Sequence, residues 1–362
     1  MARSFLRPFE FRGGIACRNR LALPGLTNCQ SKADGSLGAD ELTWLTSRAR
    51  GGFGLVSTCA TYVADHGKGF EGQLGISNDE HVAGLTELAA ALVAEGTIPV
   101  VQLFHGGVRA PSKITGSRPW SASEYDLTFK GFERPRAASA DDIHGLIAEF
   151  AAAAKRASDA GFAGVEVHGA HGYLLTQFLG TVTNTRDDEW GGSLENRARL
   201  IRRVFAACRE ATPPSFLVGV RISPEVAEQG VDFDESLEVA RWLADDGADF
   251  IHLSVWDAKR PTKYPDDDRH LTRWFRDALG PDVVVIATGG VWTADDADAM
   301  IANGADIVGL GRAAIANPTW PKLAAEPGFE PVRPPITPAE AAEISIGPAF
   351  AKYLRRFRFV SD

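Results

Sequence analysis

Eight short apolar runs, each followed by a longer amphipathic stretch, recur along this chain, and that rhythm restricts its fold more than any other feature. The runs lie at Leu21–Leu23, Gly54–Ala60, Pro99–Phe104, Gly164–Val167, Phe216–Ile222, Asp249–Ser254, Val283–Thr288 and Asp306–Leu310. They are almost continuously apolar rather than alternating, the pattern of strands in a parallel sheet covered on its outside. Helical periodicity fills the intervals at Asp40–Arg50, His81–Glu95, Ala140–Ala160, Ser193–Ala211, Asp234–Asp246, His270–Leu279 and Thr293–Asn303. Several of these helices stop at a glycine just before the next strand, at Gly96, Gly161, Gly247 and Gly304, where a left-handed C-cap lets the chain turn back. Eight βα units predict an α/β fold of the (β/α)8 TIM-barrel kind. A doubly wound sheet is the competing architecture, and no G-x-G-x-x-G follows the first strand to favour it.

The 362 residues are enough for one large barrel, and residues 1–362 are read as a single domain. Two segments break the period. Residues 109–138 are rich in Pro, Gly, Ser and aromatics and predict an excursion that caps one barrel mouth. Residues 327–362 form a C-terminal extension, Pro-rich at first and then mixing Lys and Arg with aromatics over Phe350–Val360. That last stretch reads as an amphipathic helix docked on the barrel or on a neighbouring subunit, and a homo-oligomer is one outcome.

A formal net charge of −9 argues against a nucleic-acid partner, whose phosphates require clustered Lys and Arg. The first ten residues carry charges every few positions, and no apolar run there is long enough for a signal peptide or a membrane span. A cytoplasmic protein acting on a small molecule, with no membrane partner, is expected. Cys17, Cys29, Cys59 and Cys208 lie far apart without a C-x-x-C pair, which disfavours zinc, iron–sulfur ligation and a disulfide framework. Cys59, in an apolar run, reads as a small core residue.

Chemistry concentrates where the apolar runs end. Glu166-Val-His168-Gly-Ala-His171-Gly-Tyr173 leaves the fourth run and places two imidazoles and a phenol at a strand end, the edge that carries the active site in barrel enzymes. They supply two neutral hydrogen-bond donors for a substrate oxygen and one proton donor. A metal site built on His168 and His171 is the sharpest rival, and its remaining ligands are scattered. Gly289 and Gly290 end the seventh run, and Gly311 and Arg312 follow the eighth. Barrels commonly bind phosphate at those two loops, although each glycine pair alone also suits a tight turn. Arg221 closes the fifth run, which is otherwise too apolar to want a charge. It needs an anionic or electron-rich partner, or a salt bridge to Glu166.

These residues resemble the old yellow enzyme family of flavin-dependent ene-reductases, from about Asn19 to Pro318. The most specific stretch is Asn184-Thr-Arg186-Asp-Asp188-Glu-Trp190-Gly191-Gly192-Ser193-Leu-Glu195-Asn196-Arg197, whose Asp188, Glu195, Asn196 and Arg197 read as structural rather than catalytic. The resemblance implies bound FMN and NAD(P)H as hydride donor. By it, Pro24, Thr27, Ala60, Gln102 and Arg221 contact the flavin, and Gly289, Gly290, Gly311 and Arg312 take its phosphate. His168 and His171 would hold the carbonyl or nitro oxygen of an activated alkene, and Tyr173 would protonate Cα in a ping-pong reaction. The chain departs from the family in three places, the first being Gly25 where the family's proline usually stands, with Pro24 one position early. The pattern Q-L-x-H-x-G-R becomes Gln102-Leu-Phe-His105-Gly-Gly-Val108-Arg109, and Cys29 stands where some relatives carry a substrate-contacting tyrosine. An amine or saturated-ketone dehydrogenase, a dienoyl-CoA reductase and an idle flavin-binding barrel stay open as alternatives. Some relatives also extend a C-terminal arginine into a neighbour's site, which Arg355, Arg356 or Arg358 could supply.

Overall fold

A computed structural model describes residues 3–126, 132–260, 262–264 and 266–362; part of the predicted excursion, 127–131, lies outside them. Eight parallel strands close into a barrel in chain order: β1 Leu21–Leu23, β2 Leu55–Tyr62, β3 Ile98–Phe104, β4 Gly164–Gly169, β5 Leu217–Ile222, β6 Phe250–Ser254, β7 Val284–Thr288 and β8 Ile307–Gly309. The ring shuts where Val308 pairs with Leu21 and Gly309 with Ala22. The expected (β/α)8 barrel is therefore the fold, with strand limits within about two residues of those read from the sequence. The largest shift is in β2, which runs on to Tyr62 through a register change between Ser57 and Ala60. A bulge of this kind re-aims the side chains beyond it.

Helices cover the outside: α1 Ala39–Arg50, α2 Val82–Ala94, α3 Ala140–Asp159, α4 Leu194–Glu210, α5 Phe233–Asp245, α6 Leu271–Leu279 and α7 Ala294–Ala302. Their starts are sequence-encoded. Ser139 and Asp142 form a reciprocal capping box on α3, Thr293 and Asp296 on α7, and Ser193 caps α4 through Asn196 N–H. At their ends Gly161 and Gly247 take φ of +87° and +96°, which a β-carbon would resist. Among the described residues no helix is long and apolar enough to cross a membrane.

Inward-facing side chains change character along the barrel axis. At the N-terminal end they are apolar: Leu55, Ile98, Val100, Leu217, Phe250, Val284, Ile286 and Ile307 pack together. A hairpin of Phe9–Glu10 with Ala16–Cys17 seals this end by driving Phe11, 1% exposed, into the cluster, edge-on to Phe250 at 6.4 Å. The C-terminal end is polar, and there the inward positions are Gln102, Glu166, His168, Arg221, His252 and Thr288.

The C-terminal extension docks on its own barrel. Helix α8, Arg312–Ala316, follows β8, and helix α9, Pro348–Arg355, lays fully buried Phe350 edge-on against Trp44 of α1 at 5.4 Å. Arg48 is fully buried, and among the described residues no carboxylate pairs with it. Its guanidinium donates to the carbonyls of Ala314, Ile315 and Ile344 at 3.3, 2.8 and 2.7 Å, tying the extension to α1. Burial pulls its pKa down to about 9.

Candidate active site

The polar layer is assembled by strand register. Gln102 stands beside Glu166, and His168 and His252 flank Arg221 on either side. Gln102 Nε2 donates to Glu166 Oε1 at 2.6 Å, and Glu166 Oε2 takes His252 Nδ1 at 2.5 Å. Burial alone would raise the Glu166 pKa, but His252, Arg221 and Gln102 together hold it below the usual carboxylate range. Burial keeps His252 neutral against the pull of Glu166. Its Nδ1–H therefore serves the carboxylate, and its Nε2 accepts the Thr288 hydroxyl at 2.7 Å.

With both Glu166 oxygens occupied, the salt bridge left open for Arg221 does not form. Arg221 donates instead to Gly25 O at 3.0 Å and to Ser254 Oγ at 2.9 Å. Its Nε–H is buried and has no partner among the described residues. The Gly25 contact brings the Pro24–Thr27 segment against this layer, and a β-carbon at Gly25 would stand 2.6 Å from Gln102 Oε1. Ala60 pairs in register with Gln102.

The two upper histidines each have one ring nitrogen engaged by a neighbour. His168 Nδ1 accepts the Ala170 N–H at 3.2 Å, so its proton is on Nε2. His171 Nε2 lies 2.7 Å from Ser254 Oγ, which also receives Arg221; with the serine hydrogen turned to that nitrogen, the His171 proton is on Nδ1. Burial drives both pKa values well down, and neighbouring positive charge adds to it, so both rings are neutral near pH 7. Among the described residues the other nitrogen of each ring, His168 Nε2 and His171 Nδ1, has no hydrogen-bond partner. Their rings lie 5.0 Å apart and nearly perpendicular, at 81°.

His171 takes φ of +61°, rare for a residue with a β-carbon, and its N–H is held by Ser223 Oγ at 3.0 Å. The chain then turns at Gly172 and begins a short helix, Leu174–Leu179, with Tyr173 as its N-cap. Tyr173 packs edge-on to Phe104 at 4.5 Å and to His168 at 5.2 Å. His168, His171 and Tyr173, adjacent in sequence, are thus also together in space above the Arg221 layer.

The predicted phosphate residues sit at the same end of the barrel. A β-carbon at Gly289 would meet Val255 O at 2.6 Å, so this glycine lets the β6 and β7 loops approach. One at Gly311 would meet only Leu26 Cδ2, at 3.8 Å. Arg312 is exposed, and its guanidinium lies over the ring of Trp256 at 5.3 Å.

Asp188 receives Arg186 and the Trp190 N–H, and Arg197 pairs with Glu235 at 2.6 Å, tying α4 to α5. Both lie in the loop and helix behind Tyr173, in agreement with a structural role. His252, Ser254 and Thr288 were not singled out from the sequence. The signal was there, since His252 interrupts an apolar strand as Gln102 does. Tyr353 of α9 was also missed: burial raises the pKa of its phenol, which has Thr27 and Tyr173 as neighbours, and the Arg356 guanidinium lies over its ring at 5.9 Å. The extension therefore reaches the site as well as docking on α1. Cys29 is half-buried and its thiol is pushed up to about 11 by burial, out of the reactive range. Among the described residues no group of three or more His, Cys, Asp and Glu is arranged to hold a metal ion.

Residues 4–327 match the family described as NADH:flavin oxidoreductase / NADH oxidase. The chain is 35% identical over 319 residues to the probable NADH-dependent flavin oxidoreductase YqiG of Bacillus subtilis (strain 168), covering 86% of this chain and 85% of that protein. It is 36% identical over 325 residues to the NADH:fumarate oxidoreductase of Klebsiella pneumoniae (strain 342), covering 87% of this chain but only 35% of that longer protein. Among solved structures, the old yellow enzyme homologue from Zymomonas mobilis superposes with a TM-score of 0.81 at 27% identity, over 94% of this chain and 99% of that one.

Proposed function

This chain belongs to the NADH:flavin oxidoreductase / NADH oxidase family, of the old yellow enzyme type, and from that membership we propose that it uses FMN and NAD(P)H to reduce the C=C bond of activated alkenes, α,β-unsaturated carbonyl or nitro compounds. The observation that carries this reading is the pair of neutral imidazoles beside Tyr173, each with one nitrogen engaged and the other without a partner among the described residues. The reading keeps the expectation of a cytoplasmic enzyme, where NAD(P)H is available.

The residues present fit a flavin. Arg221 Nε–H is a buried donor without a partner among the described residues, the arrangement an electron-rich ring edge would satisfy, and the backbone at Gly311 is open to an approaching group. Gln102, Arg221, Thr27, Pro24 and Ala60 would hold the ring, and Gly289, Gly290, Gly311 and Arg312 the phosphate. When bound, FMN supplies the chemistry of accepting hydride from NAD(P)H and delivering it to carbon.

The chain's own residues do the rest. His168 Nε2–H and His171 Nδ1–H bind the substrate oxygen and stabilise the negative charge that grows on it as hydride reaches Cβ. Each donor so placed is worth roughly 3–4 kcal/mol of barrier. Because their other nitrogens are fixed by Ala170 N–H and Ser254 Oγ, neither ring must reorient during the reaction. Tyr173 delivers the proton to Cα. The test is the visible spectrum of the anaerobic protein: a flavin band bleached by NADPH and restored by 2-cyclohexenone supports the reading. A protein that takes up no FMN and oxidises no NADPH rejects it.

A further inference from the structure

The loop after β3 departs from the family pattern by placing its arginine one position late, and the displaced residue lands on the proton donor. A single 3-10 turn covers Gly107–Arg109, closed by Arg109 N–H on Gly106 O at 3.1 Å. It sets the Arg109 guanidinium over the face of Tyr173, 5.2 Å from the ring centroid. Phe132, from the excursion, lies 5.7 Å away. A β-carbon at Gly172, the residue between His171 and Tyr173, would stand 3.3 Å from Arg109 Nη2.

Among the described residues nothing accepts a hydrogen bond or forms an ion pair with this side chain. Three other cations near the barrel mouth are neutralised, Lys259 by Asp296, Arg260 by Glu225 and Lys263 by Asp232. The acids of the excursion are committed elsewhere, Glu124 and Asp126 to Arg118 and Arg134, and Glu133 to the Ser112 N–H. A guanidinium attracted to a ring face makes no hydrogen bond there and so keeps N–H groups at its edge to donate. That edge is the one that takes a carboxylate through two parallel hydrogen bonds.

We propose that Arg109 binds a carboxylate carried by the alkene substrate, so that the enzyme favours activated alkenes with an acid group next to the double bond over their neutral esters. The inference rests on the ene-reductase reading of the site. One NAD(P)H and one proton are consumed, hydride going to Cβ and the Tyr173 proton to Cα, and the carboxylate passes through unchanged.

The experiment compares kcat/KM of the holoenzyme for (E)-3-benzoylacrylate and its methyl ester, in wild type, Arg109→Gln and Arg109→Lys. The wild type should prefer the acid, and the acid-to-ester ratio should fall about tenfold or more in Arg109→Gln, the scale of one charge-assisted hydrogen bond, with partial recovery in Arg109→Lys. No acid preference in wild type, or an equal fall for acid and ester, overturns the proposal. So does a loss confined to flavin reduction by NAD(P)H in stopped flow, which would assign the cation to the dinucleotide phosphates. Should the variants not fold, spectral titration of the wild type with 4-hydroxybenzoate and 4-hydroxybenzamide decides: the acid binding tighter supports the proposal, and equal affinity overturns it. Failure to turn over either benzoylacrylate or 2-cyclohexenone rejects the ene-reductase reading itself.

Discussion

His171 holds a backbone conformation that costs of order 1–3 kcal/mol for a residue with a β-carbon, and it does so inside the turn that carries Tyr173. The strain is repaid locally by the Ser223 and Ser254 hydroxyls, one on the main chain and one on the ring. The side chain is consequently aimed before any substrate arrives. Tyr173 completes the turn, and its hydroxyl is the one element of it that phenylalanine removes without disturbing the packing on Phe104 and His168. In Tyr173→Phe, alkene reduction measured by stopped flow should slow about 100-fold or more, the usual contribution of a positioned proton donor, and flavin reduction by NADPH far less. Comparable losses in the two half-reactions would remove Tyr173 from the proton-donor role. This cluster was readable in the sequence because its members are neighbours along the chain. Ser254, Thr288 and Tyr353 were not, since each enters the site from a remote segment and carries no local sign of its destination. His252 did carry one, a polar ring in an apolar strand.

At the level of elements, the strands and helices were legible because each buries a long apolar face with a clear period, and their glycine stops are required by left-handed geometry. The N-terminal hairpin was not legible: its strands are two residues each, too short for any periodicity, and only closure of the barrel gives Phe11 a place to go. The short helix behind Tyr173 escaped for the same reason. Helix α9 was anticipated as a docked element, but its docking surface was not. Phe350 is its anchor, and Phe350→Ala should cost about 3–5 kcal/mol in urea unfolding, the range for an emptied aromatic site. The same variant should make the 348–355 segment accessible to limited proteolysis, since the Trp44 contact that anchors it to α1 would be gone. A variant as stable and as resistant as wild type would mean that α9 is held by something other than the Trp44 contact.

For the molecule as a whole, buried neutral histidines set an acid limit. His105, His168 and His171 have folded pKa values well below the ordinary 6.5, burial being the first cause in each, and His252 is lowered as well. In the unfolded chain they bind protons near pH 6.5, so the unfolded state gains protons first as the pH drops. Their contribution is complete above that value and is lost progressively below it. Each histidine kept neutral should cost about 1 kcal/mol between pH 6.5 and 5.5. The urea midpoint should therefore hold between pH 7.5 and 7 and fall clearly by pH 5.5; a flat profile over that range would contradict the neutral assignment.

The alternation of inward and outward residues has a consequence for how the barrel is made. Gln102, Glu166, Arg221 and His252 share one parity, and the residues between them are the apolar ones that meet the helices. If any of these strands slipped by a single position against its neighbours, its charged or polar residue would be delivered into hydrocarbon beneath α3, α4 or α5, at several kcal/mol for each unpaired charge. The reactive layer thus acts as a proofreader during assembly. Mispaired barrels are rejected by the very groups that build the polar layer of the candidate site, so assembly of that layer and correct closure depend on the same few side chains.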